Sequence, residues 1–368
     1  MYLKDLVDIQ MGQSPDSKFY NYDKIGLPFY QGKADFGRIN PTPKIWCMKS
    51  KKEAKPNDIL ISVRAPVGDL NINNAQSCIG RGLAAITCKS DVDMMYLYYY
   101  LKYLKPQLKH ISTGSTFESI NRTQLENLII DCKPFSEQIK ISNILQVVQR
   151  QIEVKENLLR LYNLLIKSRF VELFGDVVLN TLNWPLVKLS DIAEYRIGLT
   201  YKPEAVSSSG TAVLRSGNIQ NSQLCYEDTI YVDSKVEAKL LLKKHDILMC
   251  ARNGSQALVG KVALIEDDIL NTTYGAFMMA ISSKYYVYLF EYFRSQAFRR
   301  LISVGSTTTI NQVTTKMLNS VVIPLPDIDT VNRFALYHSQ INKLKVDVQK
   351  SIEETQLLMD SLMQEYFG

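Results

Sequence analysis

Polar and basic side chains cluster around glycines in loop-like segments of both halves of the chain. Such side chains hydrogen-bond to phosphate oxygens and base edges, so the segments are candidate DNA-binding loops. Any one of them would also fit an ordinary solvated turn. The candidates are Gln13, Ser14, Lys18, Tyr20, Lys33, Arg64, Arg81, Ser115 and Thr116 in the first half, and Arg196, Thr200, Tyr201, Lys202, Arg215, Asn218, Arg252, Asn253, Tyr274, Ser306 and Thr307 in the second.

Arg64 and Arg252 are the most informative of these residues because each follows an apolar, strand-like run. A guanidinium fork projected from a rigid strand end can form two parallel hydrogen bonds to one partner. The backbone amides of Gly114-Ser115 and Gly305-Ser306 offer a cradle for phosphate, although a tight turn alone would explain those glycines.

Catalytic chemistry has few candidates. The histidines are His110, His245 and His338, which lie in unrelated contexts, and the chain contains no GxxxxGK[ST] loop. Zinc, histidine-based acid–base and nucleotide sites are therefore disfavoured. Pro15-Asp16 followed by Glu53-Ala54-Lys55 resembles a nuclease metal set, but the spacing is long and the second half has no counterpart.

The second half repeats the first at a separation near 190 residues. Asp5-Leu6 with Gly12 matches Asp191-Ile192 with Gly198, and Asn57 to Leu60 matches His245 to Leu248. The match is best at 111–116 and 302–307, Ile-Ser-Thr-Gly-Ser-Thr against Ile-Ser-Val-Gly-Ser-Thr. A register kept over this length indicates a tandem duplication.

Each copy combines strand-like runs with helices, which predicts an α+β module. In the first copy we expect a short helix over Leu3 to Ile9, strands at Leu27 to Tyr30, Asp58 to Val63 and Leu83 to Cys88, and a tyrosine-rich helix over Met94 to Leu104.

Two long amphipathic helices must position the modules. Leu145, Ile152, Leu159, Ile166 and Leu173 recur every seven residues, with Ile141, Val148 and Tyr162 on a neighbouring line that Lys155 and Arg169 interrupt. Near the C-terminus, Phe334, Ile341, Val348 and Leu362 form one line and Tyr337, Leu344 and Leu358 a second, with Thr355 marking a stutter. Leu158, Leu165 and Phe170 lie beyond the narrow seam and predict a further interface.

These patterns predict four segments: domains over 1–133 and 176–325, and helices over 134–175 and 326–368. A helix of about 39 residues is roughly 58 Å long, the length of about seventeen base pairs, so the pair could set a spacing on DNA.

Composition places the chain among soluble folded proteins. Its 368 residues are 46% hydrophobic and 22% charged, and the net charge of +6 permits an anionic partner without requiring one. The six cysteines lack a CxxC pair, which is typical of reduced thiols in a cytoplasmic protein. The N-terminus lacks a signal peptide's apolar run, and no run of eighteen apolar residues occurs, so we expect no membrane association.

The chain resembles the specificity subunit of type I restriction-modification systems. The resemblance covers essentially its whole length and rests on Trp184-Pro185 with Leu189 to Ile192, the two Gly-Ser-Thr turns, and Pro134 to Gln138 at the start of the first helix. The first module lacks the upstream Trp-Pro, and the second helix begins with Pro326-Asp327 in place of the Glu-Gln entry. Base contacts vary within the family, so no base-reading residue is carried over.

The resemblance implies two target-recognition domains separated by an antiparallel, pseudo-two-fold pair of helices. It implies a non-catalytic subunit that binds double-stranded DNA and docks two modification subunits and the restriction subunits. S-adenosylmethionine, ATP and Mg²⁺ would then belong to those partners, with no cofactor or metal in this chain. The alternatives are a self-contained nuclease or methyltransferase and a coiled-coil scaffold that does not bind DNA.

Overall fold

A computed structural model describes residues 1–112, 118–304 and 312–368. In these residues the helices are α1 (Leu3–Leu6), α2 (Met94–Tyr103), α3 (Lys105–Ile111), α4 (Arg122–Glu126), α5 (Phe135–Phe174), α6 (Tyr286–Arg294), α7 (Gln296–Val304), α8 (Thr315–Ser320) and α9 (Ile328–Phe367). Single 3-10 turns occupy Ser17–Phe19, Lys33–Asp35, Leu189–Asp191, Pro203–Ala205, Ser216–Asn218 and Ala238–Leu240.

The strands of the described residues are short. They are β1 (Val7–Met11), β2 (Tyr20–Asn21), β3 (Leu27–Tyr30), β4 (Ile45–Cys47), β5 (Glu53–Ala54), β6 (Ile59–Ser62), β7 (Leu70–Ile72), β8 (Ser77–Ile79), β9 (Leu83–Cys88), β10 (Leu186–Lys188), β11 (Glu194–Ile197), β12 (Val206–Ser207), β13 (Thr211–Leu214), β14 (Ile219–Gln220), β15 (Gln223–Leu224), β16 (Ile230–Val232), β17 (Ile247–Cys250), β18 (Val262–Leu264), β19 (Thr272–Tyr274), β20 (Met278–Ser282) and β21 (Val322–Pro324).

Contacts divide the chain into two compact units. Unit 1 comprises Met1–Asn157 with Gln349–Gly368, and unit 2 comprises Leu158–Val348. Each unit therefore contains a globular part and one half of each long helix. The division into four segments drawn from the sequence stays a prediction, since it separates the helices from the domains that they pack against.

The two units share the strand order of their main sheets, apart from the additional strand β5 in unit 1. Unit 1 has a sheet ordered β1-β9-β6-β7, and unit 2 has β11-β20-β17-β18. A second sheet is ordered β2-β4-β3-β8-β5 in unit 1 and β12-β16-β13-β19 in unit 2. The pairs β3·β8 and β13·β19 are both parallel, whereas the other pairs of these sheets are antiparallel. The predicted α+β duplication is therefore confirmed at the level of topology.

A repeated turn explains one of the repeated sequence motifs. Asn57 and His245 adopt left-handed backbone conformations, with φ of 69° and 71°, immediately before a buried aspartate. The Asp58 carboxylate accepts hydrogen bonds from the Lys55 amide and the Thr87 hydroxyl, both at 2.6 Å. Asp246 accepts equivalent bonds from Lys243 and Ser282. These aspartates satisfy buried donors and tie the turn to the neighbouring strand.

The repeated glycines are explained by close backbone approach. A Cβ atom on Gly12 would lie 2.2 Å from the carbonyl oxygen of Gly80, and one on Gly198 would lie 2.2 Å from that of Gly275. A side chain at either position would force apart the segments where the candidate loops meet. The glycine pairs therefore serve the same purpose in both units.

The predicted helix over Leu3 to Ile9 is wrong beyond its first turn. The helix ends at Leu6, and Val7 to Met11 pair with β9 in antiparallel register. The apolar spacing at Leu3, Leu6, Val7 and Ile9 fits both structures. The cross-strand partner, about eighty residues away, decides between them.

The long helices pack on each other within each unit. In unit 2, Phe170 and Phe174 of α5 contact Phe334 of α9, with ring centroids 5.6 and 5.3 Å apart, and Arg169 lies over the ring of Tyr337. Arg169 meets Tyr337, whereas Phe174, which comes later in α5, meets Phe334, which comes earlier in α9. The packing is therefore antiparallel. In unit 1, Leu145 and Val148 share a core with Met359 and Met363.

The heptad predictions are confirmed for the inner lines and wrong at several outer positions. Leu145, Ile152, Ile166, Phe334 and Ile341 are buried. On the second line of α9, Tyr337 packs against the core of unit 2, but the prediction is wrong for Leu344 and Leu358, which are exposed. Phe170, predicted to lie beyond the seam, is buried instead, because its ring stacks on Tyr288. None of the helices in the described residues has the length and apolarity to span a bilayer.

Candidate nucleic-acid interface

Unit 2 gathers most of its candidate residues around one cleft of about 670 Å³. Three strand ends and the turn between β19 and β20 supply the lining, so loops far apart in sequence converge on a rigid frame. The candidates that line it are Thr200, Tyr201, Arg215, Asn218, Arg252 and Asn253.

Hydrogen bonds within and between loops fix the positions of the residues that line this cleft. The Asn218 amide side chain accepts from the Arg215 backbone and donates to the carbonyl of Cys225, at 2.8 and 2.9 Å. Asn253 donates to the Ser216 hydroxyl at 3.1 Å. The buried Asn218 is therefore largely occupied in positioning the loop, whereas exposed side chains such as Arg215 and Thr200 are available for a ligand.

Arg252 is one of two exposed arginines that line the cleft. Within the residues that the structure describes, it takes part in no salt bridge, and its guanidinium carbon lies 5.9 Å from the ring centroid of Phe277. Arg215 instead donates to the carbonyl of Asp228 at 3.0 Å. The cleft also contains the acidic residues Glu227 and Asp228, so it carries both hydrogen-bond donors and acceptors.

Arg196 and Tyr274 of unit 2 do not line the cleft and have internal surroundings. Arg196 forms an ion pair with the buried carboxylate of Asp246 and also donates to Ser282 and to the Lys239 carbonyl. Tyr274 is fully buried, and burial raises the pKa of its hydroxyl to about 12. Both side chains therefore have evident structural tasks, although DNA binding by them stays a prediction.

The remaining candidates of unit 2 lie beside the cleft or outside the described residues. Lys202 follows Tyr201 and is exposed at the start of a 3-10 turn. Ser306 and Thr307 lie outside the described residues, as do Ser115 and Thr116 of the first half and the two Gly-Ser turns.

Unit 1 brings together a corresponding set of loops. The Gln13 amide donates to the Ile79 carbonyl at 2.9 Å, and the Ser14 hydroxyl accepts from the Arg81 amide at 3.3 Å. The Val63 amide donates to the carbonyl of Gly82, which places Arg64 next to this turn. Gln13, Ser14, Arg64 and Arg81 therefore lie near one another, and both arginines are exposed.

Two candidates of unit 1, Lys33 and Tyr20, have internal partners. Lys33 and Lys105 both pair with Asp69, at 3.0 and 2.7 Å, and together hold the pKa of that carboxyl below its ordinary value although burial opposes them. The Tyr20 hydroxyl donates to the Pro15 carbonyl at 2.8 Å, and burial raises its pKa. Lys18 is exposed in its 3-10 turn.

Arg64 and Arg252 are structurally equivalent. The residues before them, Val63 and Ala251, donate backbone hydrogen bonds of 2.9 Å to the carbonyls of Gly82 and Phe277. These two acceptors lie directly before β9 and β20. Each arginine also forms an isolated antiparallel bridge, with Ser119 and Gln312 respectively. The arginine that sequence comparison matched between the halves therefore occupies the same place in both units.

Phe277, Glu227 and Asp228 also line the cleft, although no sequence pattern identified them as candidates. Phe277 lies in an apolar run with Met278 and Met279 that predicts a buried strand. The internal repeat offers one signal for Phe277. Gly80-Arg81-Gly82 aligns with Gly275-Ala276-Phe277, so phenylalanine stands where the first half has glycine. In the described residues no group of three or more histidine, cysteine or acidic side chains is arranged to hold a metal ion.

Fold and site together define a duplicated α+β protein with one set of polar loops in each unit and paired long helices. Residues 1–161 and 182–357 match the family described as the type I restriction modification DNA specificity domain. Since these matches cover most of the sequence, the chain belongs to this family.

Similar proteins agree with this assignment. A putative type I restriction enzyme MjaX specificity subunit of Methanocaldococcus jannaschii is 46% identical over 148 residues, which are 40% of this chain and 35% of the relative. The MjaVIII specificity subunit of the same organism is 23% identical over 287 residues, 72% of this chain and 66% of that protein. These alignments thus span between a third and two thirds of the length of the relatives.

A solved structure supports the fold over the full length. The crystal structure of the S subunit of a type I restriction-modification system from M. genitalium superposes with a TM-score of 0.60. The superposition covers 100% of this chain and 95% of the other, at 15% identity.

Proposed function

We propose that this chain is the DNA-recognising specificity subunit of a type I restriction-modification system, in which each unit binds one half of a split target. The observation that carries the proposal is the equivalent placement of Arg64 and Arg252 among polar loops in two units of one family. A guanidinium at a strand end can bond to both N7 and O6 of guanine in the major groove.

The chain itself supplies binding and positioning in this proposal. Modification subunits would dock on it in the cytoplasm, carry S-adenosylmethionine and methylate adenine, and restriction subunits would supply ATP- and Mg²⁺-dependent steps. Purified chain incubated with DNA, Mg²⁺ and S-adenosylmethionine is expected to give neither cleavage nor methylation. A product from the chain alone would overturn the non-catalytic assignment.

Substitution of the two arginines tests DNA recognition. Arg64→Ala and Arg252→Ala should each weaken binding by about 1–3 kcal/mol and relax specificity in one half of the target only. Arg64→Lys and Arg252→Lys are the matched controls, because lysine keeps the charge but loses the fork. If the arginines contact bases, lysine should not restore specificity.

Salt dependence separates base contacts from phosphate contacts. An arginine that binds phosphate should lower the salt slope by about one when replaced by alanine, and lysine should restore most of the affinity. Unchanged affinity and salt slope for both alanine variants would place the arginines outside the interface. Failure of the full chain to bind any duplex would overturn the proposed function.

A further inference from the structure

Phe277 combines an exposed side chain with a fixed backbone. Phe277 is 61% exposed at the cleft, although burial of a phenylalanine side chain ordinarily stabilises a fold. Its carbonyl accepts hydrogen bonds from the amides of Ala251 and Arg252, at 2.9 and 3.0 Å, and the amide of Met278 closes the turn onto Gly275. The ring is therefore presented to solvent by a rigid segment.

The ring of Phe277 also holds Arg252. A guanidinium at 5.9 Å from a ring centroid is within the range of a cation–π interaction, which restricts the conformations of the arginine. The side chain that faces the ligand is then partly ordered before binding, so less conformational entropy is lost when it forms hydrogen bonds.

Together these two groups match a pair of features in the major groove of DNA. Arginine bonds to N7 and O6 of guanine, and phenylalanine contacts the C5-methyl group of thymine. Their separation of 5.9 Å is less than two base-pair rises of about 3.4 Å each, so the two groups can reach neighbouring base pairs.

We infer that Phe277 is a specificity-determining residue that contacts a thymine methyl group next to the guanine bound by Arg252, in the half-target of unit 2. This inference rests on the proposed function. It names the base step that the cleft recognises and assigns a role to a residue that hydrogen-bonding chemistry alone does not select.

In the described part of unit 1, the position equivalent to Phe277 has no side chain. The carbonyl that accepts from the Val63 amide belongs to Gly82, the counterpart of Phe277. A Cβ atom on Gly82 would lie 2.3 Å from the carbonyl oxygen of Gln31, so the position admits no side chain without a backbone shift. Among the described residues, no aromatic ring at the position equivalent to Phe277 lies beside Arg64, so we expect thymine contact by this position in one half-target only.

The experiment is selection of randomised duplexes by the full chain from two pools of the same design. One pool is amplified with thymidine triphosphate and the other with deoxyuridine triphosphate, which removes only the methyl group. The wild-type motif from the thymine pool should contain a T·A pair beside a G·C pair in one half, and that T·A preference should disappear from the uracil pool.

Variants identify the residue responsible. Replacing that thymine by uracil should weaken wild-type binding about fourfold, the value of one buried methyl-sized group. Phe277→Ala should bind both probes equally and as weakly as the wild type binds the uracil probe. Phe277→Leu keeps an apolar contact and should keep the preference for thymine. All three chains should have the same melting temperature, because the Phe277 backbone makes the internal hydrogen bonds.

The outcomes separate this inference from the proposed function. Identical motifs from both pools for the wild-type chain, or a thymine preference that survives in Phe277→Ala, would overturn the role of Phe277 and leave DNA recognition standing. If neither pool yields an enriched motif, the proposed function fails and the inference fails with it.

Discussion

Lys155 of α5 donates a hydrogen bond of 2.6 Å from its Nζ atom to the hydroxyl oxygen of Thr355 in α9. The same ammonium group donates to the Ser351 carbonyl at 3.1 Å, and the Thr355 hydroxyl donates to that carbonyl at 2.7 Å. Lys155 interrupts one heptad line and Thr355 marks the stutter in the other, so the two irregularities meet in one polar layer. Such layers fix the register of paired helices at a cost in stability.

Removing one partner of this layer should destabilise unit 1 more than removing both. Thr355→Val should cost about 1–3 kcal/mol, because the half-buried ammonium loses an acceptor. Lys155→Met with Thr355→Val should restore most of that loss. The chain has two tryptophans, Trp46 in unit 1 and Trp184 in unit 2, so denaturant unfolding followed by fluorescence in a Trp184→Phe background reports on unit 1.

The exposed pair of Lys350 and Glu354 provides the control for this layer. Lys350→Ala should change the free energy of unfolding by no more than about 0.5 kcal/mol. A double variant at Lys155 and Thr355 that is less stable than either single variant would contradict a net cost of the polar layer.

Arg196 should prove important for stability. Arg196→Ala leaves the Asp246 carboxylate buried without its cation, which should cost about 3 kcal/mol in unit 2. Arg215→Ala is the matched control, since Arg215 is exposed and its loss should change stability by about 0.5 kcal/mol or less. Unfolding of both variants followed by Trp184 fluorescence makes the comparison. Equal stabilities would mean that the ion pair contributes little.

Local sequence signals predicted elements well where apolar runs end at glycine, proline or asparagine. The strands at Leu27–Tyr30 and Leu83–Cys88 agree residue for residue with the structure, and α5 lies within the predicted 134–175. Partners distant in sequence decided the rest. Arg196 resembles a loop arginine until its partner, fifty residues away, is known.

The duplication predicted those residues of the candidate site that both halves of the chain share. Matching the halves selected Arg64 and Arg252 because both copies keep the arginine. Phe277 could not be predicted, because the turn before it determines the exposure of its side chain. A run of apolar residues does not reveal which of them faces solvent. The same uncertainty affected Leu344, which heptad spacing placed inside and the structure places outside.

Acid should weaken the attachment of α9 within unit 2 through Glu291. Burial alone would raise the pKa of its carboxyl, but the hydrogen bond with His338 and the charge of Arg294 together hold it below its ordinary value. A lowered pKa contributes stability above the unfolded value, near 4.3, which is lost as pH falls through the folded value. Glu291→Gln should therefore cost about 2 kcal/mol at pH 6 and progressively less toward pH 3.

A pH series of denaturant unfolding in a Trp46→Phe background measures this effect in unit 2. Glu204→Gln is the control, because Glu204 is exposed in the 3-10 turn Pro203–Ala205 of the same unit and its substitution should change stability little at any pH. A cost of Glu291→Gln that stays constant between pH 6 and pH 3 would show that the charge of the carboxylate does not matter.

The solvent-exposed face of α5 in unit 1 should bind a modification subunit. Ile144, Val147 and Val154 are exposed, and their separations of three and seven residues place them on one helix face. Such a surface ordinarily marks an interface, and we expect the chain alone to self-associate. Val147→Glu with Val154→Glu keeps good helix formers at exposed positions, so the fold should persist while copurification with the modification subunit is lost. Leu270→Glu, at a side chain 91% exposed in unit 2, should leave copurification intact.

Light scattering of the chain alone provides a second readout, because the double variant should also self-associate less. A double variant that still forms the complex at wild-type affinity would place the docking surface elsewhere.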